Sequence, residues 1–333
     1  MNLSAKSHCD RGLPDSGNPL PASDVLPRVA ILMAVCNGQA YLQEQLNSIA
    51  VQTHGKWKIL ASDDGSDDTS RDILDGFAAA GHPLRRLSGP QQGPAANFLY
   101  LINSFADLAC DDDVMAFCDQ DDVWMPERLA HGLRALTQLD PDKPALFCSR
   151  SLITDAALQS PRLSRKWPRP AGFRNALVQN IAAGNTILLN TAGTRLVCHA
   201  AREAGNVVVH DWWVYQLITA AGGLIVHENT PLIYYRQHGH NQIGANTSFR
   251  ARCIRVWMIM KGQFRSWNDI NVAALRKSAH RFEPQNRAAL EAFARMRNSA
   301  LPLRLWRLWR LGLYRQNLAG GCAMWLAAVF GRL

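Results

Sequence analysis

Four short stretches hold residue types that could do chemistry. Asp119-Gln120-Asp121 stands directly behind an apolar run, Val114-Met-Ala-Phe-Cys118. Two carboxylates two residues apart at a strand end can reach one divalent cation. Mg²⁺ or Mn²⁺ takes such oxygen ligands and bridges to substrate phosphates. A lone D-x-D is equally a solvated loop with a capping Asp. Asp63-Asp64-Gly65-Ser66 follows a second apolar run. Its carboxylates could accept hydrogen bonds from a base N–H or a ribose hydroxyl, or the segment could simply cap a helix. Asp211, beside Trp212 and Trp213, could be a general base tuned by its surroundings, with Trp faces for a sugar. It could equally be an N-cap next to two core indoles. Tyr234-Tyr-Arg-Gln-His238-Gly-His-Asn241 groups two His and an Arg that could ligate metal or hold phosphate, or form a polar turn.

These residues need a scaffold, and the hydropathy pattern supplies one. Val29 to Cys36 is a short apolar run between Pro27 and Asn37-Gly38, as a buried parallel strand would be. Tyr41, Leu42, Gln45, Leu46 and Ile49 recur at helical spacing. Trp57 to Ala61, Leu84 to Leu87, Val114 to Cys118 and Ala145 to Ser149 read as further strands. Helices are predicted from Asp67, from Ala95 to Phe105 and from Pro126 to about Leu139. Strands alternating with helices indicate a parallel α/β sheet, which binds ligands at the carboxyl ends of its strands. Both acidic clusters follow strands and should therefore meet on one edge. Beyond residue 150 the pattern loosens. Gly184 to Leu189 reads as a strand, Thr191 to Ala204 and His210 to about Ala221 as helices, and Leu224 to Val226 and Leu232 to Tyr235 as two short strands.

In this order the stretches 27–38, 60–69, 117–129, 210–213 and 235–241 closely resemble the family 2 glycosyltransferases, which have the GT-A fold. The Q-D-D-V-W and H-D-W-W forms look most like the bacterial rhamnosyltransferase-like branch, whose members build O-antigen and related surface polysaccharides. The resemblance implies inverting, metal-dependent transfer of a sugar from a nucleotide-diphosphate donor, with dTDP-rhamnose a candidate, to a glycan or lipid-linked acceptor. It implies that Asp64 contacts the base and Asp63 lies near the ribose, with Ala34, Asn37, Asp119 and Gln120 also on the donor. Asp119 and Asp121 match the metal pair, His238 a third metal or diphosphate contact, and Asp211 the general base. Gly184, Asn185 and Thr186 match a segment on the acceptor side, where Trp212 and Trp213 are also expected. The chain departs from the usual pattern at Val35-Cys36. A sugar-nucleotide pyrophosphorylase would carry an early glycine-rich loop that Asn37-Gly38-Gln39 does not offer. A non-enzymatic sugar-nucleotide-binding homologue is the other alternative.

Three segments are expected: a disordered 1–26, a GT-A domain over 27–245, and a basic, Trp-rich helical extension over 246–333. The 333 residues carry 36 Lys/Arg, 27 Asp/Glu and a net charge of +9, which at first suggests a polyanion partner. The charge is unevenly placed. Residues 250–333 hold 16 of the Lys/Arg and 3 of the Asp/Glu, leaving +13 there and −4 on residues 1–249. Around Leu303 to Leu313 a helical wheel sets Arg304, Arg307, Arg310 and Arg315 against Leu305, Trp306, Leu308, Trp309 and Leu313. That is the pattern of a basic helix on an anionic membrane surface, or of one packed on the catalytic body with snorkelling Arg. No nucleic-acid motif accompanies the charge, so nucleic acid is not expected as a partner. The 8 Cys show no C-x-x-C spacing, and the longest apolar stretch, 318–330, is shorter than the roughly 20 residues a spanning helix needs. These features predict a cytoplasmic protein, peripheral on the inner face of the plasma membrane.

Overall fold

A computed structural model describes residues 26–108, 113–239 and 262–333. The expected disordered segment, apart from residue 26, lies outside the described residues, as do His240, Asn241 and 246–261. Four strands form the first half of the sheet: β1 (Val29–Val35), β2 (Trp57–Asp63), β3 (Leu84–Ser88) and β4 (Val114–Cys118). All pair in parallel, in the order β3-β2-β1-β4. Nearly every residue of β1, β2 and β4 is buried, so their apolar runs are the signature of strands covered on both faces. Between them run α1 (Leu42–Ala50), α2 (Ser70–Ala79) and α3 (Pro94–Leu108).

The second half adds short antiparallel pairings to the mainly parallel sheet that was expected. The short β5 (Val123–Trp124) leads into α4 (Arg128–Thr137) and the long β6 (Ala145–Thr154), which also pairs with β7 (Arg162–Leu163). A short helix, α5 (Phe173–Ala176), precedes a 3₁₀ turn at Gly184–Thr186 and the two-residue β8 (Leu188–Leu189). The predicted strand over Gly184 to Leu189 is thus mostly turn. Its first three residues are buried by tight packing instead of by ladder pairing. Helices α6 (Thr191–Ala204) and α7 (His210–Ala220) follow, then β9 (Leu224–Arg236). The two short strands expected there are one strand. It runs parallel to β6, with register shifts near Ser149 and Arg150 that interrupted the apolar pattern. The full order is β3-β2-β1-β4-β8-β6-β9-β5.

The C-terminal region is helical: α8 (Gln263–Lys277), α9 (Pro284–Arg297), α10 (Leu301–Leu311) and α11 (Leu318–Val329). It is no loose appendage. Leu275, Leu290, Phe293 and Met296 belong to the same buried cluster as Phe98, Phe117, Val214 and Leu217. Truncating any of these large side chains to Ala should cost about 2–5 kcal/mol.

Candidate active site

The carboxyl ends of β1, β2 and β4 share one sheet edge, and the loops behind them are stitched together. Asn37 has φ 51°, a left-handed conformation that Asn tolerates. Its N–H donates to Ser66 Oγ (2.9 Å), and its Oδ1 accepts from Asp67 N–H (2.9 Å). Gly38 N–H donates to Ser70 Oγ (2.7 Å). Asp63 is buried, accepts from Ser66 N–H (3.2 Å) and pairs with Arg71, so it closes its own turn. Asp64 accepts from the N–H groups of Gln91 (2.6 Å) and Gly93 (3.0 Å), which fixes the loop behind β3 to the same edge. Gly89 lets that loop approach: a Cβ there would stand 2.8 Å from Asp64 Oδ1. Ala34, partly buried, lies opposite Ser62 in the β1–β2 register.

Behind β4, Gln120 holds the backbone of Cys36 from both sides. Its Oε1 accepts from Cys36 N–H (2.7 Å) and its Nε2 donates to Cys36 O (2.9 Å). Gln120, expected on the donor, thus ties the D-x-D loop to the β1 turn. Asp121 Oδ2 lies 2.8 Å from His238 Nε2, and the His238 ring stands 4.9 Å from Tyr41. Arg236 Nε donates to Asp121 O (2.9 Å), and its backbone N–H reaches Asp122 Oδ1 (3.3 Å). Burial, then the negative charges of Asp121 and Asp211, push the Asp119 carboxyl up to about 7. Burial, then Asp119 and Asp121, push Asp122 up as well. Such crowding of carboxylates is what a divalent cation would relieve, and Asp121 and His238 already converge as two ligand types. Among the described residues no group of three or more His, Cys, Asp or Glu is arranged to hold a metal. Asp119, Asp121 and His238 offer the carboxylate and imidazole ligands that a divalent cation such as Mg²⁺ or Mn²⁺ can take.

Asp211 opens α7. Its Oδ2 accepts from Gly184 N–H (3.1 Å), its Oδ1 from Trp212 N–H (2.6 Å), and the Asn180 side chain also bonds to it. Burial outweighs these donors and pushes the carboxyl up to about 6. A base poised there is ionised at neutral pH yet still basic enough to take a proton in a transition state. Gly184 is needed for this approach: a Cβ would meet His210 Nε2 at 2.8 Å and Asp211 Cβ at 3.3 Å. His210 itself is buried against Phe98 (3.6 Å between ring centres) and pushed down to about 3 by burial, so it stays neutral.

The 3₁₀ turn joins Asp211 to the D-x-D loop. Asn185 Nδ2 donates to Asp122 Oδ2 (2.6 Å), while Asn185 O accepts from Arg128 Nη2 (2.8 Å). Arg128 is buried over the Trp124 ring at 3.5 Å. Thr186 Oγ1 donates to Ala183 O (2.8 Å). The Asn185 and Thr186 side chains are thus engaged within the protein. Trp212 and Trp213, expected to offer faces to a sugar, are 5% and 0% exposed. Both are core residues, and Trp212 Nε1 donates to Ala176 O (2.7 Å). A helix start between a sheet and covering helices buries whatever aromatics it carries. Asn180, Asp122 and Arg128 were not singled out from sequence. No local pattern marks a polar residue whose partners lie 31 to 63 positions away.

The parallel first half thus carries Asp64, Asp119 and Asp121 behind its strands, and the second half brings Asp211 within electrostatic reach of Asp119. The chain belongs to glycosyl transferase family 2, whose profile matches residues 30–200. It is 25% identical over 239 residues to the dTDP-rhamnosyl transferase RfbG of Shigella flexneri, covering 70% of this chain and 81% of RfbG. An uncharacterized glycosyltransferase of Nostoc sp. (strain PCC 7120) is 31% identical over 103 residues, about a third of each chain. Among solved structures, S. aureus TarS 1-349 in complex with UDP-GlcNAc superposes with a TM-score of 0.52 at 12% identity, covering 92% of this chain and 89% of that one. That likeness shows the GT-A fold. The chain spans 40% of a longer TarS chain.

Proposed function

We propose that this glycosyltransferase moves a sugar, with inversion, from a nucleotide-diphosphate donor to a glycan or lipid-linked acceptor in surface polysaccharide assembly, with dTDP-rhamnose the first donor to test. The observation that carries the reading is the link between Asp211 and the D-x-D loop: Asp211 accepts from Gly184 N–H, and the next residue, Asn185, donates to Asp122. The similarity to a dTDP-rhamnosyl transferase supports the choice of donor.

In this mechanism the donor lies across the edge behind β1, β2 and β4, its base toward Asp64 and its diphosphate toward Asp119 and Asp121. A Mg²⁺ or Mn²⁺ held by Asp121 with Asp119 and His238 would supply positive charge opposite the leaving diphosphate. Asp211 takes the proton of an acceptor hydroxyl. That oxygen attacks the anomeric carbon as the bond to the diphosphate breaks, through an oxocarbenium-like transition state. Gly184 N–H and Asn180 aim the carboxylate. Asp122, Asn185 and Arg128 keep the turn that carries Gly184 in register with the D-x-D loop.

No described helix is long and apolar enough to cross a membrane. We place the protein in the cytoplasm, peripheral on the inner face of the plasma membrane and held there by its C-terminal helices. A thermal-shift panel of dTDP-, UDP- and GDP-sugars with Mn²⁺, followed by transfer assays, tests the donor. Stabilisation by dTDP-rhamnose above the other donors is expected, and equal or absent responses would remove it.

A further inference from the structure

The wheel of α10 suggests arginines facing lipid, but the structure turns two of them the other way. Arg304 donates from Nη1 to Ala328 O (2.9 Å) and from Nη2 to Ser299 O (2.7 Å), tying the ends of α9 and α11 together. Arg307 donates to Ser299 Oγ (2.6 Å). Apart from Arg310 and Arg332, what faces solvent on these helices is largely apolar. Trp306 and Trp309 are exposed on α10, Trp309 to 72%. On α11, Leu318, Trp325, Leu326 and Val329 are exposed at positions i, i+7, i+8 and i+11, one stripe of a helix without a single charge. Leu318 is 90% exposed.

Three observations select the occupant of this face. Residues 292–333 contain seven Arg and no Asp or Glu, so a second copy docked through the same face would set Arg310 and Arg332 against like charges. A layer of lipid headgroups offers phosphates to those same side chains. Three exposed Trp suit the boundary between headgroup and acyl chain, where one end of the indole is dry and the other wet. The helices, 11 and 12 residues long, are too short to span about 30 Å of hydrocarbon and lie on it instead. The linker between them is bonded to the segment just before Asn180, whose side chain bonds to Asp211. Tyr314 O accepts from Asn175 Nδ2 (3.0 Å), and Gln316 N–H donates to Gln179 Oε1 (2.8 Å), next to Asn180.

We infer that the α10–α11 face inserts its Trp and Leu side chains into the bilayer interface, with Arg310 and Arg332 at its rim, and so sets the distance between Asp211 and the membrane surface. This rests on the peripheral-membrane reading above and makes apolar insertion its main driving force. The test uses the full chain with phosphatidylcholine vesicles, with and without phosphatidylglycerol, at low and high salt. Expected are binding to both vesicle types, tighter with the anionic lipid, persistence in salt, and roughly tenfold weaker binding for each of Trp306→Ser and Trp309→Ser. Sugar transfer to a water-soluble acceptor should be unchanged in both variants. Should either variant fail to fold, quenching of the wild-type Trp fluorescence by brominated phosphatidylcholine gives the same readout, and no quenching refutes insertion. Binding confined to anionic vesicles, lost in salt and indifferent to the Trp changes would refute insertion while leaving a peripheral protein. No vesicle binding, with self-association that the Trp changes abolish, would overturn both readings.

Discussion

The ionisation of Asp211 should govern both the rate of transfer and part of the stability. With a carboxyl pKa near 6, the base is mostly ionised above neutrality, and kcat/KM should fall about tenfold per pH unit below about 6. The same shift bears on stability. The folded pKa lies above the ordinary 3.8, so the folded state holds this proton more tightly than the unfolded one. The stabilisation present below about pH 4 is therefore lost as pH rises to about 6, and ionisation at neutral pH costs about 2–3 kcal/mol, the lower figure allowing for residual solvent contact. Asp211→Asn removes that cost. It also places an amide NH₂ among groups that all donate, Gly184 N–H, Trp212 N–H and the Asn180 side chain, and one donor facing a donor costs about 1–3 kcal/mol. The two effects nearly cancel, so the variant should melt close to wild type while turnover drops about 10²–10⁴-fold. Initial rates of transfer from pH 5 to 9, with calorimetric melting of both proteins, decide the matter. A flat acid limb, or near-wild-type turnover in the Asp211→Asn variant, would remove Asp211 from the role of base.

Asp121→Ala should abolish the metal-dependent part of donor binding, measured by titration calorimetry with and without Mn²⁺. Unchanged affinity would place the cation elsewhere. Gly184→Ala drives a methyl into His210 and Asp211 and should destabilise by about 1–3 kcal/mol, with kcat falling more than KM changes. Asn185→Ala leaves the buried Asp122 short of a donor, at about 1–3 kcal/mol, and should lower kcat while nucleotide affinity is retained. Trp213→Ala should act through the core, costing about 3–5 kcal/mol in melting experiments, with no selective change in acceptor KM.

The parallel half of the molecule was legible because its information is local. An apolar run such as Val114 to Cys118, ending at Asp119, specifies a buried strand and a polar loop without reference to anything distant. Gly184 to Leu189 misled for the opposite reason. The burial of its first three residues comes from His210, Asp122 and Arg128, and burial without ladder pairing looks like a strand in one dimension. The same holds for β9, where shifts against β6 broke one strand into two apparent ones.

Residue type and order alone determined the chemistry available here: two acidic clusters behind strands, a carboxylate at a helix start, and a chain of basic and aromatic residues toward the C-terminus. Only tertiary structure decided which groups are free to use it. It committed Asp63 to its own turn, gave Gln120 to the Cys36 backbone and buried Trp212 and Trp213. It also turned Arg304 and Arg307 inward and left Trp306 and Trp309 outside. Amphipathicity marks two faces of a helix, but which one meets the protein depends on the acceptors its neighbours leave open. Here the carbonyls of Ser299 and Ala328, at the ends of α9 and α11, drew Arg304 inward.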